Sequence, residues 1–237
     1  MLHYMQSSDE ITKNEFEVFL MRMRKKKHTE ERLARCQNLL IENAEAHKGA
    51  YRKLFPLQNP EQRELHLEIG CGKGAFITEL AKRNPQILFI AVEYCREAML
   101  LAVEKAANEG LDNVLFLNAD AAKLAEYFAP EEIDRIYLNF SDPWPKARHA
   151  KRRLTAPSFL EVYRIILKDG GYLRQKTDNV LLFESSLENY ALCGWRCEDV
   201  CRDLHNSPWA EDNILTEYEV NFSGKGLTIN AVTAYKV

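Results

Sequence analysis

An alternation of short apolar runs and longer amphipathic segments, which begins at Glu64, most constrains the fold of this chain. Seven runs predict strands, at 65–69, 87–92, 114–117, 133–140, 172–176, 195–201 and 228–235. Segments with helical spacing of apolar residues occur at 75–83, 96–109, 157–167 and 180–192, with a short helix ending at 127. Strands and helices that alternate across short loops predict an α/β fold with a doubly wound, mostly parallel seven-stranded sheet.

Composition divides the chain into three parts. Residues 1–20 are polar without a strong pattern and are expected to be an extension that can be disordered. Residues 21–60 are predicted to form a basic arm, an amphipathic helix and a linker. Residues 61–237 are predicted to form the α/β domain, which is long enough to bury a core of its own.

Charge and cysteine content exclude several classes of protein. The net charge of -3 does not indicate a general polyanion binder, but the basic residues cluster at 22–27 and 146–153. The N-terminus has no signal-peptide pattern, and no apolar run is long enough to span a bilayer. The six cysteines show no metal-type spacing, so we expect free thiols, no metal and a cytoplasmic location.

A glycine-rich turn follows the first predicted strand and reads EIGCGKG, from Glu68 to Gly74. Its glycines, Gly70, Gly72 and Gly74, let the backbone turn tightly and approach a ligand closely. In open parallel sheets, ligands bind outside the carboxyl ends of the strands. The turn is therefore the predicted cofactor site.

Two cofactors are compatible with this turn. Gly70-x-Gly72-x-x-Ala75 matches a relaxed dinucleotide fingerprint, and Glu93 follows at a strand end, where a carboxylate can hold a ribose diol. However, Glu68 would repel a pyrophosphate. S-adenosylmethionine has no phosphate and carries positive charge, so an acid suits it better.

Acids follow each of the first four predicted strands, at Glu68, Glu93, Asp120 and Asp142. Asp120 could accept a hydrogen bond from an adenine amino group. Each acid also has a structural interpretation, such as a helix cap for Glu68 or Asp120. Their regular placement favours S-adenosylmethionine over a dinucleotide.

Segment 138–154 combines the fourth acid with an indole and many cations. Asp142 lies in a loop stiffened by Pro143 and Pro145, and Trp144 stands between them. The basic residues that follow are Lys146, Arg148, Lys151, Arg152 and Arg153. Cations attract phosphates and an aromatic ring can stack on a base, so the segment suits a nucleic acid. A solvated basic loop is the alternative interpretation.

Three later segments carry further candidates. Asp178 could face the same crevice as Asp142 or cap the helix at Val180. His205 could be a general base, although a structural role suits it better. Thr216 and Glu219 have capping-box spacing, but the residues after them do not look helical, so a substrate contact stays open.

Three segments together, NFSDPWPKARHAKRR, KTDN and TEYE, give the chain a family resemblance. From about Met21 to its C-terminus it resembles bacterial tRNA (guanine-N7-)-methyltransferases. The resemblance implies a methyltransferase fold, S-adenosylmethionine as cofactor, and methylation of guanine 46 in the variable loop of tRNA. Members of that family open with a segment like 21–24, so translation could also start at Met21.

The resemblance also implies roles for individual residues. It places Glu68, Glu93, Asp120 and Asp142 at the cofactor and makes Asp142 the catalytic acid. The residues that it places at the target nucleotide are Lys146, Asp178, Thr216, Glu217, Tyr218 and Glu219. The residues that it places on the RNA backbone are Arg148, His149, Lys151, Arg152 and Arg153. Ala147 departs from the family, where a second lysine is common.

Other functions stay open from the sequence alone. They are a methyltransferase with another RNA or a non-RNA acceptor, a dinucleotide oxidoreductase, and an RNA-binding chaperone with a vestigial pocket. The expected partner is tRNA, without membrane or metal, and the protein is expected to be a monomer or a homodimer.

Overall fold

A computed structural model describes residues 26–222 and 228–237. In this part of the chain, seven strands form one sheet with the order β3-β2-β1-β4-β5-β7-β6. The strands are β1 (Leu65–Ile69), β2 (Leu88–Glu93), β3 (Val114–Asn118), β4 (Ile133–Asn139), β5 (Leu167–Thr177), β6 (Arg196–Cys201) and β7 (Asn230–Tyr235). Strands β1 to β5 are parallel, and β7 runs antiparallel to β5 and β6. The predicted fold is confirmed.

Helices lie between the strands and before β1. They are α1 (Thr29–Ala34), α2 (Ala75–Arg83), α3 (Arg96–Asn108), α4 (Leu124–Tyr127), α5 (Pro157–Ile166), α6 (Val180–Leu192) and α7 (Glu217–Phe222). Pro157 begins α5, where its missing N–H removes no helical hydrogen bond. Among the described residues, no helix is both long enough and apolar enough to cross a bilayer.

The sheet is buried on both faces, as a parallel sheet requires. Leu65 and Leu67 of β1 pack in a large core on one face, with Tyr163 of α5. Phe89 of β2 packs on the other face, with Val103 of α3. These side chains are fully buried. Each such burial contributes about 1.5–3 kcal/mol, which holds the strand ends in a fixed arrangement.

The segment before β1 is part of the packed domain. Ile41 donates a backbone hydrogen bond of 2.8 Å to Phe116, so the chain covers the edge of β3. The buried carboxylate of Glu132 accepts hydrogen bonds from the amides of Gly49 and Tyr51. The helix that we expected here is short, because only Thr29–Ala34 is α-helical and 3-10 turns follow. The expected extension and the basic arm up to residue 25 lie outside the described residues.

Strands β1 and β4 are neighbours at the centre of the sheet. From β1 the chain crosses to β2 on one side, and from β4 it crosses to β5 on the other. The loops after β1 and β4 therefore diverge and leave a crevice at the carboxyl ends. This topology places Glu68, near the end of β1, and Asp142, after β4, in one site.

Candidate active site

A cavity of about 710 Å³ occupies this crevice. It is lined by the glycine turn, the ends of β1 to β4, the loop after β4 and the start of α7. The predicted site residues that line it are Glu68, Gly70, Gly72, Glu93, Asp120, Asp142, Arg152, Thr216, Glu217 and Tyr218. The acids expected at the cofactor thus share one cavity.

The glycines of the turn serve two purposes. Gly70 and Gly72 have positive φ values of 78° and 56°, which lets the backbone curve beneath the cavity. Gly74 instead allows close packing of helices, because a Cβ atom there would lie 2.6 Å from Cβ of Ala102 in α3. Gly74 therefore lets the glycine turn pack directly against α3.

Glu68 is the most unusual group in the cavity. Its side chain is buried, and Oε1 accepts a hydrogen bond of 2.8 Å from Nδ2 of Asn139. Its Oε2 is buried without a hydrogen-bond partner. Burial raises the pKa of Glu68 to about 8, although the hydrogen bond from Asn139 opposes the shift. A cationic donor that entered the cavity would satisfy this oxygen.

Glu93 and Asp120 lie farther along the same edge of the sheet. Glu93 accepts hydrogen bonds from the backbone amides of Gly72 at 2.9 Å and Cys95 at 2.7 Å. Asp120 is exposed and accepts from the amide of Ala122 at 2.9 Å, so it also caps the turn that follows. The capping role of Asp120 was one of the alternatives from sequence, and it coexists with a position in the cavity.

The cavity fits S-adenosylmethionine. The buried, unpartnered oxygen of Glu68 suits the amino group of its methionine part, and Glu93 suits a ribose diol. Asp120 lines the same cavity, where its carboxylate suits an adenine amino group. No group of three or more potential metal ligands occurs in the described part of the chain.

The loop after β4 has a strained backbone. Phe140 and Trp144 have positive φ values of 51° and 42°, a region that side chains with a Cβ rarely adopt. Arg153 fixes this conformation, because its guanidinium donates to the carbonyls of Pro143 at 2.9 Å and Trp144 at 3.2 Å. A further bond of 2.7 Å goes to Oγ of Ser185. The strain and its brace point to a functional loop.

Asp142 stands at the mouth of the cavity in this loop. It is exposed, yet the surrounding protein desolvates the carboxyl group enough to raise its pKa. The exposure leaves the carboxylate open to a substrate. Trp144 packs against the edge of the His149 ring, and the guanidinium of Arg152 lies 5.0 Å from the indole centroid.

The basic run forms an exposed rim beside the cavity. Lys146, Arg148, Lys151 and Arg152 are exposed, and residues Ala147–Arg152 form a 3-10 helix. Desolvation and the nearby Arg148 lower the pKa of His149, which favours the neutral imidazole. The rim presents a concentration of positive charge to solvent.

The TEYE segment closes the cavity on its other side. The capping box is formed, because Glu219 N donates to Oγ1 of Thr216 at 3.1 Å and Thr216 N donates to Oε2 of Glu219 at 2.9 Å. Helix α7 follows, so the expectation of a non-helical continuation was wrong. The hydroxyl of Tyr218 donates to Asp178 at 2.8 Å. Asn179, and not Asp178, caps α6.

A buried polar network beneath this segment was missed from the sequence. Nζ of Lys176 donates to Glu219 at 2.8 Å, to Asn213 at 2.9 Å and to the carbonyl of Ile214 at 2.9 Å. Burial opposes ionisation of Glu219, but Lys176 and the hydrogen bonds outweigh it and lower its pKa. Nε2 of His205 lies 3.3 Å from the same carboxylate, so His205 belongs to this structural network.

Asn139 was also missed. It is the last residue of β4, the strand next to β1. The sequence signal that could have identified it was its position just before the DPWP loop. Lys176 is the penultimate residue of β5, in the KTDN segment, but its burial depends on α7, which the sequence pattern did not predict. The six cysteines are free thiols, as expected.

Comparison with known proteins agrees with this geometry. A family model described as "Putative methyltransferase" matches residues 62–232. A tRNA (guanine-N(7)-)-methyltransferase of Lachnoclostridium phytofermentans is 45% identical over 91% of this chain and 99% of its own. One from Brevibacillus brevis is 50% identical over 82% of this chain and 89% of its own.

Solved structures with the same fold are more distant. The 16S rRNA methyltransferase KamB has a TM-score of 0.54 at 20% identity, over 73% of this chain and 88% of its own. A SAM dependent methyltransferase from Aquifex aeolicus has a TM-score of 0.52 at 19% identity, over 74% and 84%. These likenesses establish the fold, and the sequence relatives establish the family. The chain belongs to the tRNA (guanine-N(7)-)-methyltransferase family.

Proposed function

We propose that the protein transfers a methyl group from S-adenosylmethionine to N7 of guanine 46 in the variable loop of tRNA. The observation that carries this proposal is the cavity itself, which has a buried acid with one unpartnered oxygen on one side and a braced, cation-flanked loop on the other. The names of the sequence relatives support the base, its N7 atom and the class of RNA. The fold shared with a SAM dependent methyltransferase supports the donor. Position 46 comes from the family resemblance.

The cofactor would be held by the acids at the strand ends. Glu68 would accept a hydrogen bond from the amino group, Glu93 from the ribose hydroxyls, and Asp120 from the adenine amino group. Gly70 and Gly72 would let the methionine part approach the backbone closely. When bound, S-adenosylmethionine supplies an electrophilic methyl group on a sulfonium.

Asp142 would be the catalytic residue. Guanine N7 has a lone pair and no proton, so the N7–C bond forms as the C–S bond breaks, and no base must remove a proton. Positive charge moves onto the purine, and a fixed carboxylate that accepts from N1–H and the 2-amino group would stabilise it. The loop would hold the base in line with the methyl group.

The nucleotide and the RNA backbone would be held around the cavity mouth. Lys146, Asp178, Thr216 and Tyr218 would contact the nucleotide after it leaves the stack of the folded tRNA. The backbone would lie on the exposed rim, whose residues are Arg148, His149, Lys151 and Arg152. We assign structural roles to Arg153 and Glu219. The guanidinium of Arg153 is bound to the loop after β4, and the carboxylate of Glu219 is buried.

The proposed setting is the cytoplasm, with the protein a monomer or a homodimer. A test of donor and acceptor class is incubation with labelled S-adenosylmethionine and either unmodified tRNA or a peptide mixture, followed by nucleoside analysis. We expect label in 7-methylguanosine from tRNA and none in peptides. Label in peptides, or a saturable change in NADH fluorescence without any S-adenosylmethionine binding, would contradict the proposal.

A further inference from the structure

The three residues after Thr216 reach three different parts of the molecule. Glu219 enters the buried network with Lys176, and Tyr218 reaches Asp178 and lies 4.9 Å, centroid to centroid, from the Phe140 ring. Glu217 extends in another direction, to the glycine turn and α3. Because consecutive helical residues point about 100° apart, α7 connects the β5 side of the cavity with the β1 side.

Glu217 makes two kinds of contact there. Its two carboxylate oxygens accept from the amide of Ala75 at 3.1 and 3.2 Å, and they form an ion pair with Lys105. Ala75 is the first residue of α2, directly after the glycine turn, where the helix dipole favours a negative charge. The side chains of Lys105 and Glu217 are about two-thirds buried, at 36% and 32% exposure.

The glycine turn is therefore held by two carboxylates. Glu93 binds the amide of Gly72 from the second strand, and Glu217 binds the amide of Ala75 from α7. Gly74, between them, is pressed against Ala102 of α3, which also carries Lys105. A ligand that contacts the glycine turn therefore also affects the start of α2, to which Glu217 of α7 is bound.

We propose that Glu217 is a positioning residue that ties the nucleotide-contacting segment to the cofactor turn, so that cofactor binding orders the segment for capture of the guanine. This inference rests on the proposed function for its substrate, and it replaces the expectation that Glu217 touches the nucleotide. Glu217 lines the cavity together with Thr216 and Tyr218, but its carboxylate is engaged with the amide of Ala75 in α2 and with Lys105 in α3.

The test compares Glu217→Ala and Lys105→Met with a matched pair of controls. Lys82 and Glu109 form another ion pair between α2 and the end of α3, at 2.8 Å, in more exposed positions. Lys82→Met and Glu109→Ala therefore remove an α2–α3 ion pair without touching α7. Any general loss of stability between these helices would appear in both pairs of variants.

The first readout needs no RNA. Hydrogen exchange of the amides in 214–222 is measured with and without S-adenosylhomocysteine. In the wild type and the controls, we expect the ligand to slow exchange in this segment. In Glu217→Ala and Lys105→Met, we expect that response to be lost while the ligand still binds.

The second readout is kinetic and uses an unmodified tRNA transcript. Glu217→Ala should raise the tRNA KM about tenfold, the effect of losing roughly one charge-assisted hydrogen bond. Lys105→Met should do the same to a smaller degree, and the double variant should be no worse than Glu217→Ala. Glu217→Asp should recover part of the loss.

Three results would overturn the inference. One is a normal exchange response in Glu217→Ala. Another is a Lys105→Met variant that behaves like the wild type in both readouts while Glu217→Ala is impaired, which would mean that Glu217 contacts the substrate. A third is an equal defect in Lys82→Met. If the wild type methylated no tRNA, the proposed function would fail, but the exchange experiment would still decide the role of Glu217.

Discussion

Asn139, at the end of β4, donates a hydrogen bond of 2.8 Å to Oε1 of Glu68, at the end of β1. The bond joins the two strands whose loops diverge to form the cavity, and it leaves Oε2 of Glu68 buried and unpartnered. Such an oxygen costs stability in the empty protein, because it has lost water without gaining a donor. A cationic hydrogen-bond donor that binds Oε2 of Glu68 would remove this cost.

Glu68→Gln should stabilise the cofactor-free protein and weaken cofactor binding. The folded pKa of about 8 lies above the ordinary 4.5, so the folded protein retains a proton that the unfolded chain releases. Stability of the empty wild type should thus fall as pH rises from about 4.5 to about 8. At pH 8.5 the variant should be more stable by about 1–3 kcal/mol in urea unfolding.

The same variant tests the cofactor contact. The wild type should bind S-adenosylmethionine more tightly as pH rises towards 8, because ionised Glu68 attracts the amino group. The amino group itself titrates near pH 8, so the difference between wild type and Glu68→Gln isolates the carboxyl group. Calorimetric titrations with parallel pH profiles would refute the contact.

Asp142→Ala should separate binding from chemistry. Because Asp142 is exposed at the cavity mouth, its removal should change S-adenosylmethionine affinity by only a few-fold. Transfer to tRNA should fall by about 100-fold or more, the typical effect of removing a group that stabilises developing charge. Because the pKa of Asp142 is raised, the acidic limb of the wild-type pH–rate profile should lie at a higher pH than for an ordinary aspartate. Asp142→Asn should lose that limb. Turnover like that of the wild type would contradict the assignment.

Arg148 and Arg153 should differ although both lie in the basic run. Arg148→Ala should weaken tRNA binding and reduce the salt slope by roughly one, as expected for a phosphate contact. Arg153→Ala should lower kcat with little change in that slope, because its guanidinium braces the loop. Filter binding at several salt concentrations separates the two effects, and equal slopes for the two variants would refute the distinction.

Gly74→Ala should be more harmful than Gly110→Ala. Both residues have positive φ, at 80° and 66°, so both substitutions carry backbone strain. At Gly74, the new methyl group would also lie 2.6 Å from Ala102, whereas nothing lies within 4 Å at Gly110. Overpacking should cost Gly74→Ala a further 1–3 kcal/mol or so in urea unfolding. Equal losses would contradict this packing role.

Lys176→Met should show the cost of a broken buried pair. The variant leaves Glu219 buried without its cation, which typically costs about 3–5 kcal/mol. Lys176→Met combined with Glu219→Gln should recover part of the loss, because the second change removes the uncompensated charge. Denaturation that shows no recovery in the double variant would mean that the charge is not the cause.

The sequence predicted the sheet and the cavity because both follow from local signals. Apolar runs such as Leu65–Ile69 are continuous in a sheet that is buried on both faces, and the acids after them must meet at one edge. The N-cap role of Asp120 was also visible as a local alternative.

Features that depend on distant contacts could not be predicted in this way. Helix α7 is short and held by Lys176 and Lys105, which lie far from it in the sequence. The partner of Glu217 and the brace role of Arg153 arise from the same kind of tertiary contact. The charge pattern showed where basic residues occur, but not which of them make contacts within the protein and which are left for RNA.

The proposed methylation of guanine 46 is tested most directly with two unmodified tRNA transcripts, with guanine or adenine at position 46. Each is incubated with labelled S-adenosylmethionine, then reduced with borohydride and treated with aniline, which cleaves at 7-methylguanosine. We expect label and cleavage at position 46 of the guanine transcript alone. Label in both transcripts, or in neither while the cofactor binds, would contradict it.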